Sequence, residues 1–191
     1  MYTYAISRAA GCIFISGGLK LECMKALLII APKDFRDEEL FHTRDVLEKA
    51  GIKTEIASLR KGEATGMLGG RVSVDLTIDG VRVEDYGAIV FVGGSGSSVY
   101  FKNERALAIA REACSIGKVV GAICIAPVIL ANAGVLKGKR ATVWDGEFVK
   151  MLEAGGAKYT GRNVEVDGKI VTANGPHAAK DFGRKIAELL R

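Results

Sequence analysis

Short, continuously apolar runs alternate along this chain with longer stretches in which apolar residues recur three and four positions apart. Residues 26–31, 88–92 and 119–123 are apolar throughout, the signature of strands buried on both faces, and residues 53–57 read as a further strand. The helical spacing predicts helices over about 37–50, closed by Gly51, and 104–116, closed by Gly117. Further helical patterns cover 128–133, 146–154 and 178–190, and residues 141–143 read as a short strand. Residues 61–82 break the rhythm: Val72, Val74, Leu76 and Ile78 alternate near Gly69-Gly70 and Asp79-Gly80, a hairpin-like insertion. Residues 163–166 and 169–173, joined by Asp167-Gly168, predict a second hairpin. Strands alternating with helices of this length imply an α/β fold, a mainly parallel sheet with helices on both faces. One such domain is expected over 24–191. Residues 1–23 read as an N-terminal extension, with Met24-Lys25 as a natural start; an added edge strand is the alternative.

Composition narrows the function more than the fold. The formal charge of +5 comes from Lys and Arg scattered over the whole length, without the basic block or interleaved aromatics of a nucleic-acid platform. No apolar run reaches the roughly 18 residues needed to cross a bilayer. The four cysteines, Cys12, Cys23, Cys114 and Cys124, show no C-x-x-C spacing, and the only histidines are His42 and His177. That set does not make a zinc site, and the chain reads as cytoplasmic with free thiols. There is no glutamine and there are four asparagines, a depletion of thermolabile amides that points to a thermophile.

In parallel sheets, ligands gather at the carboxyl ends of the strands. Three features converge there: the loop after Ala31, the run Gly93-Gly94-Ser95-Gly96-Ser97-Ser98, and the stretch Gly121-Ala122-Ile123-Cys124-Ile125-Ala126-Pro127. The last places a cysteine at a strand-to-helix turn with small residues, Ala122 and Ala126, two positions either side. That is the layout of a nucleophile elbow, and unpaired N–H groups at such a turn favour thiolate. A buried core cysteine is the alternative. The glycine-rich run fits neither a P-loop nor a dinucleotide fingerprint, and no cofactor is expected.

From about Met24 to Leu190 the chain resembles the DJ-1/PfpI (ThiJ/PfpI) superfamily of the class I glutamine amidotransferase-like fold. The stretches that carry the likeness are Ala26-Leu27-Leu28-Ile29-Ile30-Ala31, Asp37-Glu38-Glu39-Leu40, Val92-Gly93-Gly94, the Cys124 turn, and Asp167-Gly168-Lys169-Ile170 through Gly175-Pro176. The resemblance implies a flavodoxin-like three-layer sandwich, built as a homodimer or dimer-based hexamer. It places Cys124 at the reactive cysteine and Glu39 at the carboxylic acid against it. Gly94 and Ile125 would supply backbone N–H groups to an oxyanion, and Trp144 and His177 would lie at the pocket. Asp37 and Glu38 are expected to be solvated helix-start residues. Peptidase members carry histidine directly after the nucleophile; here that residue is Ile125, which cannot act as a base. The expectation is therefore cofactor-independent handling of small reactive aldehydes, glyoxalase III/deglycase-like, with a small-molecule carbonyl substrate. A redox-sensing or chaperone-like stress protein is the alternative, and an intracellular cysteine peptidase or amidase is disfavoured.

Overall fold

The computed structural model describes residues 24–191, together with the backbone of two short strands, β1 (Ser7–Ala9) and β2 (Cys12–Phe14), which pair antiparallel. The reading of 1–23 as an extension or edge strand otherwise falls outside the described residues. The chain continues through β3 (Lys25–Ile29), β4 (Lys33–Phe35), α1 (Asp37–Lys49), β5 (Lys53–Ser58), β6 (Gly62–Gly66), β7 (Arg71–Val74) and β8 (Leu76–Thr77). Then follow β9 (Ala88–Phe91), α2 (Glu104–Ser115), β10 (Val119–Ile123), α3 (Pro127–Asn132), β11 (Arg140–Ala141), α4 (Glu147–Ala154) and β12 (Lys158–Tyr159). The hairpin β13 (Val164–Asp167) and β14 (Ile170–Ala173) leads into α5 (Ala179–Leu189).

Seven strands form the central sheet in the order β13-β14-β10-β9-β3-β5-β8, and every pairing is parallel except β13 with β14. The continuously apolar runs are its middle strands, because both of their faces are covered. Leu27, Ile29, Ile89, Phe91 and Val120 face one core with Ile109, Ala110, Leu130 and Leu152 from α2, α3 and α4. Ala26, Leu28, Val90 and Ile123 face the other, with Leu40 and Leu47 of α1 and Phe182 and Ile186 of α5. In α5 the buried positions 179, 182, 183, 186 and 187 keep the three-and-four spacing of a helix seated on a sheet. This is the flavodoxin-like sandwich expected.

The insertion at 61–82 departs from a simple hairpin. β6 and β7 pair antiparallel, but β6 also runs parallel to β4, giving a separate three-stranded sheet, while β8 joins the edge of the main sheet beside β5. Lys33–Phe35 carries too little apolar pattern to read as a strand; Phe35 is its single buried residue, and pairing with β6 fixes it. The small sheet stands at the carboxyl end of β3, over the helix start that carries Glu39.

Candidate active site

β10 ends at Ile123, and Cys124 follows with φ of 63°, a left-handed conformation that a residue with a Cβ adopts only under constraint. The constraint is visible on both sides of the residue. The Cys124 N–H donates to the Ala173 carbonyl at 2.9 Å, and the Cys124 carbonyl accepts from Trp144 N–H at 2.8 Å. Ala122 and Ala126 are fully buried, as a tight elbow requires. The helix that follows, α3, has only six residues, so the electrostatics at the thiol come from individual N–H groups rather than a long dipole. Two of them, on Gly94 and Ile125, hydrogen-bond to the Cys124 sulfur.

Glu39 in the first turn of α1 has no exposed surface. Its Oε2 accepts from Gly93 N–H at 3.0 Å, and its carboxyl hydrogen-bonds with the Cys124 thiol. Gly93 leaves room for this approach: a Cβ there would come within 2.5 Å of both Cys124 Cβ and Glu39 Oε2. Its neighbour Gly94 adopts φ of 95°, which only glycine takes at little cost, and this turns its N–H toward the sulfur. Oε1 of Glu39 is buried with no well-aligned donor, so it is better satisfied carrying a proton than a charge.

Burial pushes the Glu39 carboxyl up from 4.5 to about 8, against the lowering pull of Cys124, Gly93 N–H and the Arg36 guanidinium. At neutral pH it therefore holds its proton. Burial also pushes the Cys124 thiol up to about 12, helped by repulsion from an ionised Glu39 and opposed by the Gly94 and Ile125 N–H groups. The turn alone does not give a free thiolate, as the sequence led one to expect, because desolvation outweighs two N–H donors. Protonation of Glu39 changes the balance: the repulsion disappears and the carboxyl becomes a donor to sulfur. The first proton lost from this pair leaves one negative charge and one proton shared between two groups in contact.

The pair opens into a cavity of about 300 Å³, walled by Met67, Ile125, Trp144, Phe148 and Pro176, with Arg36 and Ser95 at its polar side. The structure thus brings Cys124, Glu39, Gly94, Ile125 and Trp144 to one cavity. It does not bring His177 there. Gly175-Pro176 turns the chain so that Pro176 lines the cavity, while the exposed His177 ring points to Asn163 Oδ1 at 3.4 Å. Asp37 is also not the solvated residue expected. It is 7% exposed, and its carboxylate accepts from Leu68 N–H at 2.8 Å and Gly70 N–H at 2.7 Å. The role of Asp37 is not legible in the sequence because its partners, Leu68 and Gly70, are 31 and 33 positions away in the insertion, and Met67 is held from there by the Phe35 carbonyl; Gly69-Gly70 was the available signal.

Residues 24–189 match the model of the DJ-1/PfpI family. An uncharacterized protein of Methanocaldococcus jannaschii is 46% identical over 168 residues, 87% of this chain and 82% of that protein. Deglycase PfpI of Pyrococcus furiosus is 37% identical over 86% of this chain and 99% of its own length. The glutathione-independent glyoxalase DJR-1.2 of Caenorhabditis elegans is 29% identical over 86% and 88%. The crystal structure of a ThiJ/PfpI domain protein from Brachyspira murdochii superposes with a TM-score of 0.85 at 34% identity, covering 87% of this chain and 95% of that one. Among the described residues no helix is long and apolar enough to cross a membrane. The chain belongs to the DJ-1/PfpI family.

Proposed function

We propose that this protein converts small α-oxoaldehydes, free or as adducts, to hydroxy acids without a cofactor, with Cys124 as nucleophile and Glu39 as proton carrier. The observation that carries this reading is the fully buried carboxyl of Glu39 against Cys124, where burial favours its protonated form. The deglycase and glyoxalase names of its relatives support the reaction class.

With methylglyoxal the steps balance as follows. The pair first gives up one proton to solvent; Cys124 then adds as thiolate to the aldehyde carbon, and Glu39 gives the remaining proton to the carbonyl oxygen, forming a hemithioacetal. The Gly94 and Ile125 N–H groups favour the thiolate before attack and lie beside the developing oxygen charge. Glu39, now a carboxylate, takes the proton from the former aldehyde carbon and returns it to the neighbouring carbon, while the hydroxyl proton passes to the neighbouring oxygen, leaving a hydroxyacyl thioester on Cys124. Water hydrolyses that thioester, releasing lactate and restoring the thiol. No group is oxidised or reduced from outside. A Cys-His peptidase dyad is not supported, since Ile125 follows the nucleophile and neither His42 nor His177 lines the cavity.

The test is lactate formation from methylglyoxal by purified protein without glutathione. Turnover lost in both Cys124→Ser and Glu39→Gln is the expected result. An inactive wild type whose Cys124 is selectively oxidised by dilute peroxide would instead favour the redox-sensing reading.

A further inference from the structure

The tip of the β6–β7 hairpin is tied to the same helix turn that carries Glu39. Asp37, two residues before it, receives the N–H groups of Leu68 and Gly70 on its two carboxylate oxygens. The fit is close enough to dictate the neighbouring residues. A Cβ on Gly66 would fall 2.4 Å from Asp37 Oδ2, and one on Gly70 would fall 2.3 Å from Oδ1 and 2.7 Å from the Phe41 ring. The tip is closed by Gly66 N–H to the Gly70 carbonyl at 2.7 Å, and Met67 N–H donates to the Phe35 carbonyl at 2.9 Å. These bonds hold Met67 as a wall of the cavity that contains Cys124, although its side chain is 44% exposed and would otherwise have little reason to stay.

We propose that Met67 is the wall that limits access to Cys124, and that Asp37 is the positioning residue that holds it there. A carboxylate accepting two backbone N–H groups fixes a turn more firmly than one neutral bond would. An amide in its place presents a donor to one of those N–H groups and leaves that group unsatisfied. Cys124 itself is only 9% exposed, so any loosening of this wall changes how fast a reagent reaches the sulfur. The inference builds on the reading of Cys124 as a nucleophile, but its test does not need aldehyde turnover.

The experiment compares wild type, Asp37→Asn and Met67→Ala by amide hydrogen exchange and by alkylation of Cys124 with iodoacetamide and with the bulkier N-ethylmaleimide, across a range of pH. Asp37→Asn is expected to lose protection at Leu68 and Gly70 and to speed alkylation several-fold, more for the bulkier reagent. Met67→Ala is expected to speed alkylation equally while keeping both amides protected, which separates the wall from the latch. An Asp37→Asn variant that shifts only the midpoint of the alkylation profile, with its plateau unchanged and both amides still protected, would show a purely electrostatic effect and overturn the proposal. Unchanged Cys124 alkylation in Met67→Ala would overturn it as well. If wild type turns over no aldehyde yet alkylation and exchange change as stated, the proposed function fails and this inference stands; turnover with none of these changes gives the reverse.

Discussion

Two cysteines ten residues apart show what separates a site from a buried thiol. Cys114 lies in the last turn of α2, half-buried against the core shared with α3 and α4, and Cys124 follows the last residue of β10, the next strand. Burial pushes both thiols up, and each has one counteracting influence: Lys139 for Cys114, backbone N–H groups for Cys124. Burial and a shifted pKa are therefore not the distinction. Cys124 alone combines a left-handed backbone, two N–H donors on sulfur, and a carboxyl that burial keeps protonated. What sets Cys124 apart is a buried carboxyl lying against its sulfur, and among the described residues Cys114 is influenced by Lys139 and by no carboxyl.

The comparison breaks most sharply on substitution of the two sulfurs. Cys124→Ser should lower aldehyde turnover by about 10³-fold or more, whereas Cys114→Ser should leave it within about twofold, measured as lactate formed per mole of protein. Glu39→Gln should lower kcat by roughly 10²–10⁴-fold, the range for a lost acid/base group. The same change should stabilise the fold. The Glu39 carboxyl is at about 8 in the fold against an ordinary 4.5, so the folded chain binds that proton more tightly than the unfolded chain. Its contribution to stability is complete below pH 4.5 and is lost as pH climbs to 8. Urea unfolding should accordingly show the advantage of Glu39→Gln over wild type growing from pH 5 to 8, by on the order of 4 kcal/mol.

Gly94→Ala should cost about 3 kcal/mol, since φ of 95° is strained for alanine and its Cβ would lie 2.4 Å from Arg36 N and the Asp34 carbonyl oxygen. Thermal unfolding measures that loss. Smallest is Cys114→Ala, expected to shift stability by about 1 kcal/mol with turnover unchanged. A Cys114 variant that loses turnover would mean that the α2 thiol, not the elbow, carries the chemistry.

How much of this was legible in the chain depends on how local the signal is. The middle strands of the sheet and helices α1, α2 and α5 follow from apolar periodicity, because each buries a face its own residues specify. The Cys124 turn was legible for the same reason: strand, small residues, cysteine and Pro127 are contiguous. β4 and β12 were not, since two or three residues carry no period and owe their pairing to a distant partner. The roles of Asp37, Glu38 and Glu39 were equally hidden in the bare sequence. Three consecutive carboxylates look alike, yet one ties down a hairpin, one pairs with Arg36 at 2.8 Å, and one is fully buried against a thiol. Only the helix turn, rotating each side chain about 100° from the last, sorts them.

The proton on Glu39 is the point on which the chemistry turns, and a difference infrared spectrum of wild type against Glu39→Gln reads it. A protonated carboxyl band at pH 7 that disappears around pH 8 is the predicted result. A carboxylate band already present at pH 7 would contradict the assignment of Glu39 as the proton carrier for Cys124.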